Sequence, residues 1–80
     1  MYHVYVIKSL QCFDMFYVGY TTDLNQRLVA HNSGWSIHTA KYMPWELVMY
    51  LSFSSKHKAA EFERYLKSQS GRAFMKKRLL

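Results

Sequence analysis

The chain is 80 residues long, half of them apolar, with a formal net charge of +6 from 11 Lys+Arg against 5 Asp+Glu. That length supports one modest core and excludes an accessory specificity domain, so a single domain over residues 1–80 is expected. An aromatic share of 18% lets that core form without a metal or disulfide staple, and Cys12 has no second cysteine to pair with. The lone thiol fits a reducing compartment, and neither a secretion signal nor an apolar run of membrane-spanning length is present, so a cytoplasmic protein is expected. The basic balance favours a polyanionic partner, DNA or RNA, over an acidic protein, although solubility alone also accounts for it.

The first segment, Tyr2-His3-Val4-Tyr5-Val6-Ile7-Lys8, is rich in β-branched and aromatic residues, as is Phe16-Tyr17-Val18-Gly19-Tyr20. Both read as strands, and Ser9 to Met15 is short enough to join them as an antiparallel hairpin. By the period of two, Tyr5 shares a face with His3 and Ile7 while Val4 and Val6 take the other, giving one plain core face and one mixed face.

Thr21-Thr22-Asp23 offers oxygen-bearing N-caps for a helix over about 23–32, with Gly34 ending it. Arg27 and His31 are four apart and flank the apolar stripe of Leu24 and Leu28. Residues 33–43 show no period and read as a loop, closed by Pro44, after which 45–53 alternates as a third strand.

Ser54-Ser55 caps a second helix over about 56–68, with Ala59, Phe62 and Leu66 as its stripe. At roughly 100° per residue Glu61 points away from that stripe, whereas Glu63 lies at its edge and is expected to be partly buried. A carboxylate there needs a partner, either a basic side chain in an ion pair or a divalent metal in a cleft. Ser70-Gly71 interrupts the pattern, and 72–80 reads as a last short helix with Phe74 and Met75 inward. Trp45, Phe53, Phe62 and Phe74 are assigned to the core, and His38 and His57 to the surface. Arg72, Lys76, Lys77 and Arg78 cluster at the end, where they contact phosphates without reading sequence or simply form a solvated helix face.

The tripeptides His3-Val4-Tyr5 and Tyr17-Val18-Gly19, then Thr22-Asp23-Leu24 leading to Arg27 and His31, form the first part of an ordered set. Asn32-Ser33-Gly34, Thr39, Pro44-Trp45, and Ala60 ahead of Glu63 and Lys67 complete it. No single motif is specific, but the order and spacing resemble the GIY-YIG nuclease family over about 2–67, and most of all its compact stand-alone branch. The clearest departure is His3 in place of glycine. The resemblance implies an α+β (α/β) fold, a small three-stranded antiparallel sheet flanked by helices. It further implies endonuclease chemistry on DNA phosphodiesters, with weak sequence specificity.

Carried over by position, the resemblance makes Glu63 the ligand of one Mg²⁺ or Mn²⁺ ion and Arg27 the cation facing the transition-state charge. Tyr5 would serve as a base or orient the water, Tyr17 would hydrogen-bond in the same site, and His31 would relay a proton or hold a phosphate. The residues also have ordinary readings: strand tyrosines as core amphiphiles, Arg27 as a surface residue and His31 as a cap-proximal histidine. Trp35, in a Gly/Ser loop, would stack on a base or cover the core, and Lys41 and Tyr42 are phosphate-contact candidates. Two further classes stay open: a non-catalytic nucleic-acid-binding module of the same fold, and a protein-interaction module using strand edges or aromatic loops.

Overall fold

The computed structural model describes residues 1–80. Three antiparallel strands, β1 (Tyr2–Ser9), β2 (Phe16–Thr21) and β3 (Trp45–Phe53), form one sheet in the order β2-β1-β3. Four helices flank it: α1 (Leu24–Asn32), α2 (Ile37–Ala40), α3 (Lys56–Lys67) and α4 (Gln69–Arg78). The expected α+β fold is therefore present, including the hairpin and the third strand.

The central position of β1 changes the expectation of one core face and one mixed face. Val4, Tyr5, Val6 and Ile7 are each 1% exposed or less, because helices cover both sides of the sheet. On one side Val4, Val6 and Val18 pack with Ala59 and Leu66 of α3 and Met75 of α4. On the other, Tyr5, Ile7 and Trp45 pack with Tyr17, Leu24, Leu28 and Tyr42. Each fully buried Val, Ile, Leu or Met side chain contributes about 1.5–3 kcal/mol, so these two layers dominate the stability. Val6 pairs with Met49 and Ile7 with Leu47, which leaves Val48 as a β-bulge. The extra residue turns Val48 and Met49 both toward α3, while Trp45 and Leu47 stay on the α1 side.

Helix α1 starts where expected, since the Asp23 side chain accepts the Gln26 N–H at 3.0 Å. It ends at Gly34, whose φ of +78° is the left-handed conformation that favours glycine, and the Trp35 N–H closes on the Ala30 carbonyl at 3.2 Å.

Three further expectations need correction. Residues 33–43 are not all loop: the Ser36 carbonyl accepts the N–H groups of Thr39 and Ala40, and the single turn of α2 buries Thr39 at 1% exposure. Gly71 is no break either, because Ser68 caps α4 by accepting the Gly71 N–H at 3.1 Å and the helix runs through. A Cβ on Gly71 would run into the Tyr65 carbonyl and Leu66, so the glycine permits the close approach of α3 and α4. That contact offsets the roughly 1 kcal/mol that glycine costs inside a helix. Finally, Phe74 is 38% exposed and rests against Tyr65 instead of entering the core, although Met75 is fully buried. Trp45 is buried as expected, Phe53 and Phe62 are half-buried against one another, and His38 and His57 lie on the surface.

Candidate active site

Tyr5 on β1 stands directly opposite Gly19 on β2. The phenol lies across the glycine, and a Cβ added there would collide with the Tyr5 hydroxyl and ring. Gly19 therefore makes room for Tyr5; a glycine inside a strand pattern was the available signal of such a close approach. Tyr17, two residues earlier on the same face, is half-buried with its ring 6.5 Å from that of Tyr5.

Helix α1 delivers the third aromatic group. The His31 ring is 2% exposed, and its Nε2 lies 2.8 Å from the Tyr5 hydroxyl while its Nδ1 lies 2.9 Å from Thr39 Oγ1. The Tyr17 ring meets the imidazole at a steep angle, 5.2 Å between centroids. Asn32 fixes this end of α1 to β3 by accepting the Trp45 N–H at 2.6 Å and donating to the Trp45 carbonyl at 3.1 Å. Thr39 is held in turn, because the Trp45 indole donates to its carbonyl at 2.8 Å. The result is a buried chain, Tyr5–His31–Thr39, clamped through Trp45. Of its supports, the contributions of Thr39 and Asn32 were visible in the sequence only as motif positions.

Burial sets the protonation of this chain. It pushes the Tyr5 phenol well above the ordinary tyrosine range; neighbouring Tyr17 acts in the same direction, Arg27 opposes it, and Glu63 adds to the rise. The His31 imidazole is driven below its ordinary value, first by burial and then by the Arg27 charge. At neutral pH His31 is thus neutral, with one N–H to serve two hydroxyl neighbours.

Arg27 is exposed on α1 and no carboxylate pairs with it, so its guanidinium is free for an anion. Glu63 lies on α3, which packs on the opposite side of β1 and β2, yet its charge is felt at Tyr5. As expected it is partly buried, with its side chain 23% exposed, and Lys67 Nζ lies 3.1 Å away. This half-exposed ion pair within one helix is worth at most about 1 kcal/mol, so a divalent cation can replace the ammonium. No three of His, Cys, Asp and Glu gather into a ligand set. A single carboxylate does fit Mg²⁺ or Mn²⁺ in the mode where substrate phosphate and water complete the shell.

A cavity of about 520 Å³ opens beside this group and is lined by Arg27, His31, Trp35, Gln26, Thr22 and Ser36 among others. The structure thus brings Tyr5, Tyr17 and His31 into contact, sets Arg27 and Glu63 within electrostatic range of Tyr5, and adds Trp35 on the Arg27 side. It does not bring the remaining candidates there. Lys41 caps the ring of Tyr42 at 5.5 Å, while Arg72 and Lys76 line a larger cavity of about 800 Å³ with Phe13 and Glu46. That larger cavity shares no residue with the Tyr5–His31 chain, and Lys77 and Arg78 are exposed on α4 and line neither cavity. No helix is long and apolar enough to cross a membrane.

Comparison with known proteins agrees with this fold. Residues 1–78 match the family model described as the GIY-YIG catalytic domain. A UPF0213 protein of Streptococcus pneumoniae is 39% identical over 69 residues, covering 84% of this chain and 70% of that protein. A UPF0213 protein of Streptococcus pyogenes serotype M3 is 39% identical over 66 residues, covering 80% and 72%. The solution NMR structure of a UPF0213 protein from Bacillus halodurans superposes with a TM-score of 0.56 at 32% identity, covering 94% of this chain and 82% of that one. With the sheet, the paired tripeptides and a family-model match over residues 1–78, the chain belongs to the GIY-YIG family, in its small UPF0213 branch.

Proposed function

We propose that this protein is a divalent-metal-dependent endonuclease that hydrolyses DNA phosphodiesters with little sequence preference. The observation that carries the reading is the buried Tyr5–His31 contact of 2.8 Å beside an unpaired Arg27 that lines the same cavity as His31. A phenol raised this far is a poor base alone, but a neutral imidazole at hydrogen-bond distance can take its proton as the tyrosine oxygen receives one from water; the new hydroxide bonds to phosphorus, the P–O ester bond breaks, and the leaving sugar oxygen takes a proton from solvent. Tyr5 then never persists as a phenolate, and Thr39 Oγ1 accepts from the Nδ1–H of the resulting imidazolium. Tyr17, half-buried where Tyr5 is buried, is the phenol that meets the substrate side and orients the water.

Arg27 binds two phosphate oxygens in a fork and remains charged through the reaction. Glu63 would hold Mg²⁺ or Mn²⁺, which when bound polarises a phosphate oxygen. Few side chains are available to read base edges in so small a site, which supports weak specificity. The test is incubation with branched, nicked and single-stranded DNA, and with RNA, in the presence of Mg²⁺, Mn²⁺ or chelator. Slow, metal-dependent cutting is expected.

One observation favours a second reading, a non-catalytic nucleic-acid-binding module: Glu63 already has a partner in Lys67 at 3.1 Å. Salt-sensitive binding to DNA with no cleavage under any metal would select that reading.

A further inference from the structure

The two tryptophans differ sharply. Trp45 is 5% exposed and hydrogen-bonded, whereas Trp35 is 82% exposed beside the cavity that holds Arg27 and His31. Its backbone is nonetheless fixed on both sides. Gly34 at φ +78° and the Trp35 N–H to Ala30 bond precede it, and the Ser36 carbonyl begins α2 directly after it. Val29, 65% exposed, lines the same cavity. An exposed indole on so constrained a backbone covers no core and loses little entropy on binding a flat partner.

Much of the rest of the cavity matches that partner, the exception being the Asp23 carboxylate, which is engaged by the Gln26 N–H at 3.0 Å. Its polar wall includes Gln26 and Thr22, whose side chains make no hydrogen bond within the protein, and Ser36, which heads α2 without a side-chain cap bond. These are neutral donors and acceptors suited to a base edge. Arg27 lines the same cavity, so a phosphate held on its guanidinium brings the attached nucleoside into the cavity that Trp35 also lines. We propose that this cavity receives one nucleobase swung out of the stack next to the scissile phosphate, with Trp35 as the stacking surface. The substrate class follows: single-stranded or branched nucleic acid with unpaired bases is preferred over intact duplex, whose bases show only their edges. This inference rests on the nuclease reading of the same site.

The test compares binding of a short labelled single strand and of the same sequence as blunt duplex, in chelator, for wild type, Trp35→Ala and Trp35→Phe. Trp35→Ala is expected to weaken single-strand binding roughly tenfold, within the range for one base–aromatic stack, and duplex binding by less than about twofold. Trp35→Phe should retain most of the single-strand affinity. Single strand should also quench the tryptophan fluorescence of wild type and not of Trp35→Ala, whose remaining indole is buried. Equal weakening on both substrates, or none on either, overturns the proposal; the latter leaves the ring to a protein contact. If wild type cuts both forms with metal while Trp35→Ala changes neither binding nor quenching, the base pocket fails and the nuclease reading stands. If wild type binds neither form, the nuclease reading itself fails and the pocket falls with it.

Discussion

Tyr5 and Gly19 face each other across β1 and β2, and the phenol occupies the space where any other residue at position 19 would carry its Cβ. A strand glycine is thereby tied to the placement of one hydroxyl against His31. Gly19→Ala should destabilise the fold by about 1–3 kcal/mol through overpacking and displace the Tyr5 ring. In a Tyr5→Ala background the same substitution should cost far less. Urea unfolding of the double-mutant cycle measures this coupling, and additive losses would show that the two residues do not compete for the same space.

Protonation of His31 links pH to both stability and turnover. Its folded value lies below the ordinary histidine range, so the unfolded chain binds the proton more readily. The stabilisation from the neutral ring is fully present above about pH 6.5, the unperturbed value, and is lost as pH falls through the lowered folded value. Unfolding midpoints should therefore drop on acidification, and the drop should shrink in His31→Gln. Cleavage should fade over the same acid window because a protonated imidazole accepts nothing from Tyr5.

Thr39 acts on the site through His31, whose Nδ1 its Oγ1 meets at 2.9 Å. Thr39→Val keeps the shape and removes that contact, leaving a buried ring nitrogen without its partner at a cost of about 1–3 kcal/mol. The expected kinetic signature is a lower kcat with KM nearly unchanged and a shifted acid limb of the pH profile. Thr39→Ser should restore both, whereas a merely structural role would move stability without the pH profile.

The strands were legible because runs such as Val4-Tyr5-Val6-Ile7 combine β-branched and aromatic residues, and α1 and α3 because their caps and stripes agree. What escaped was set by distance in the fold. Helix α2 is a single turn of four residues and carries no periodicity. Gly71 reads locally as a breaker, since the backbone of α3 that demands it is not visible along the sequence. The spacing of Arg27 and His31 put them on one side of α1, but the contact between Tyr5 and His31 spans 26 residues and depends on how α1 crosses the sheet. That Arg72 and Lys76 line a different cavity from Arg27 and His31 likewise depends on where α4 docks, which the sequence does not display.

The most direct test of the account is cleavage of labelled branched DNA by Glu63→Gln, with binding followed in the same preparation. The substitution keeps the side-chain shape, removes the charge proposed to hold the cation, and sacrifices only a weak pairing with Lys67. The account predicts that metal-dependent cleavage collapses while DNA affinity holds or rises and the unfolding midpoint changes little. Full metal-dependent activity in Glu63→Gln, or loss of the fold in place of loss of turnover, would contradict it and make the carboxylate structural.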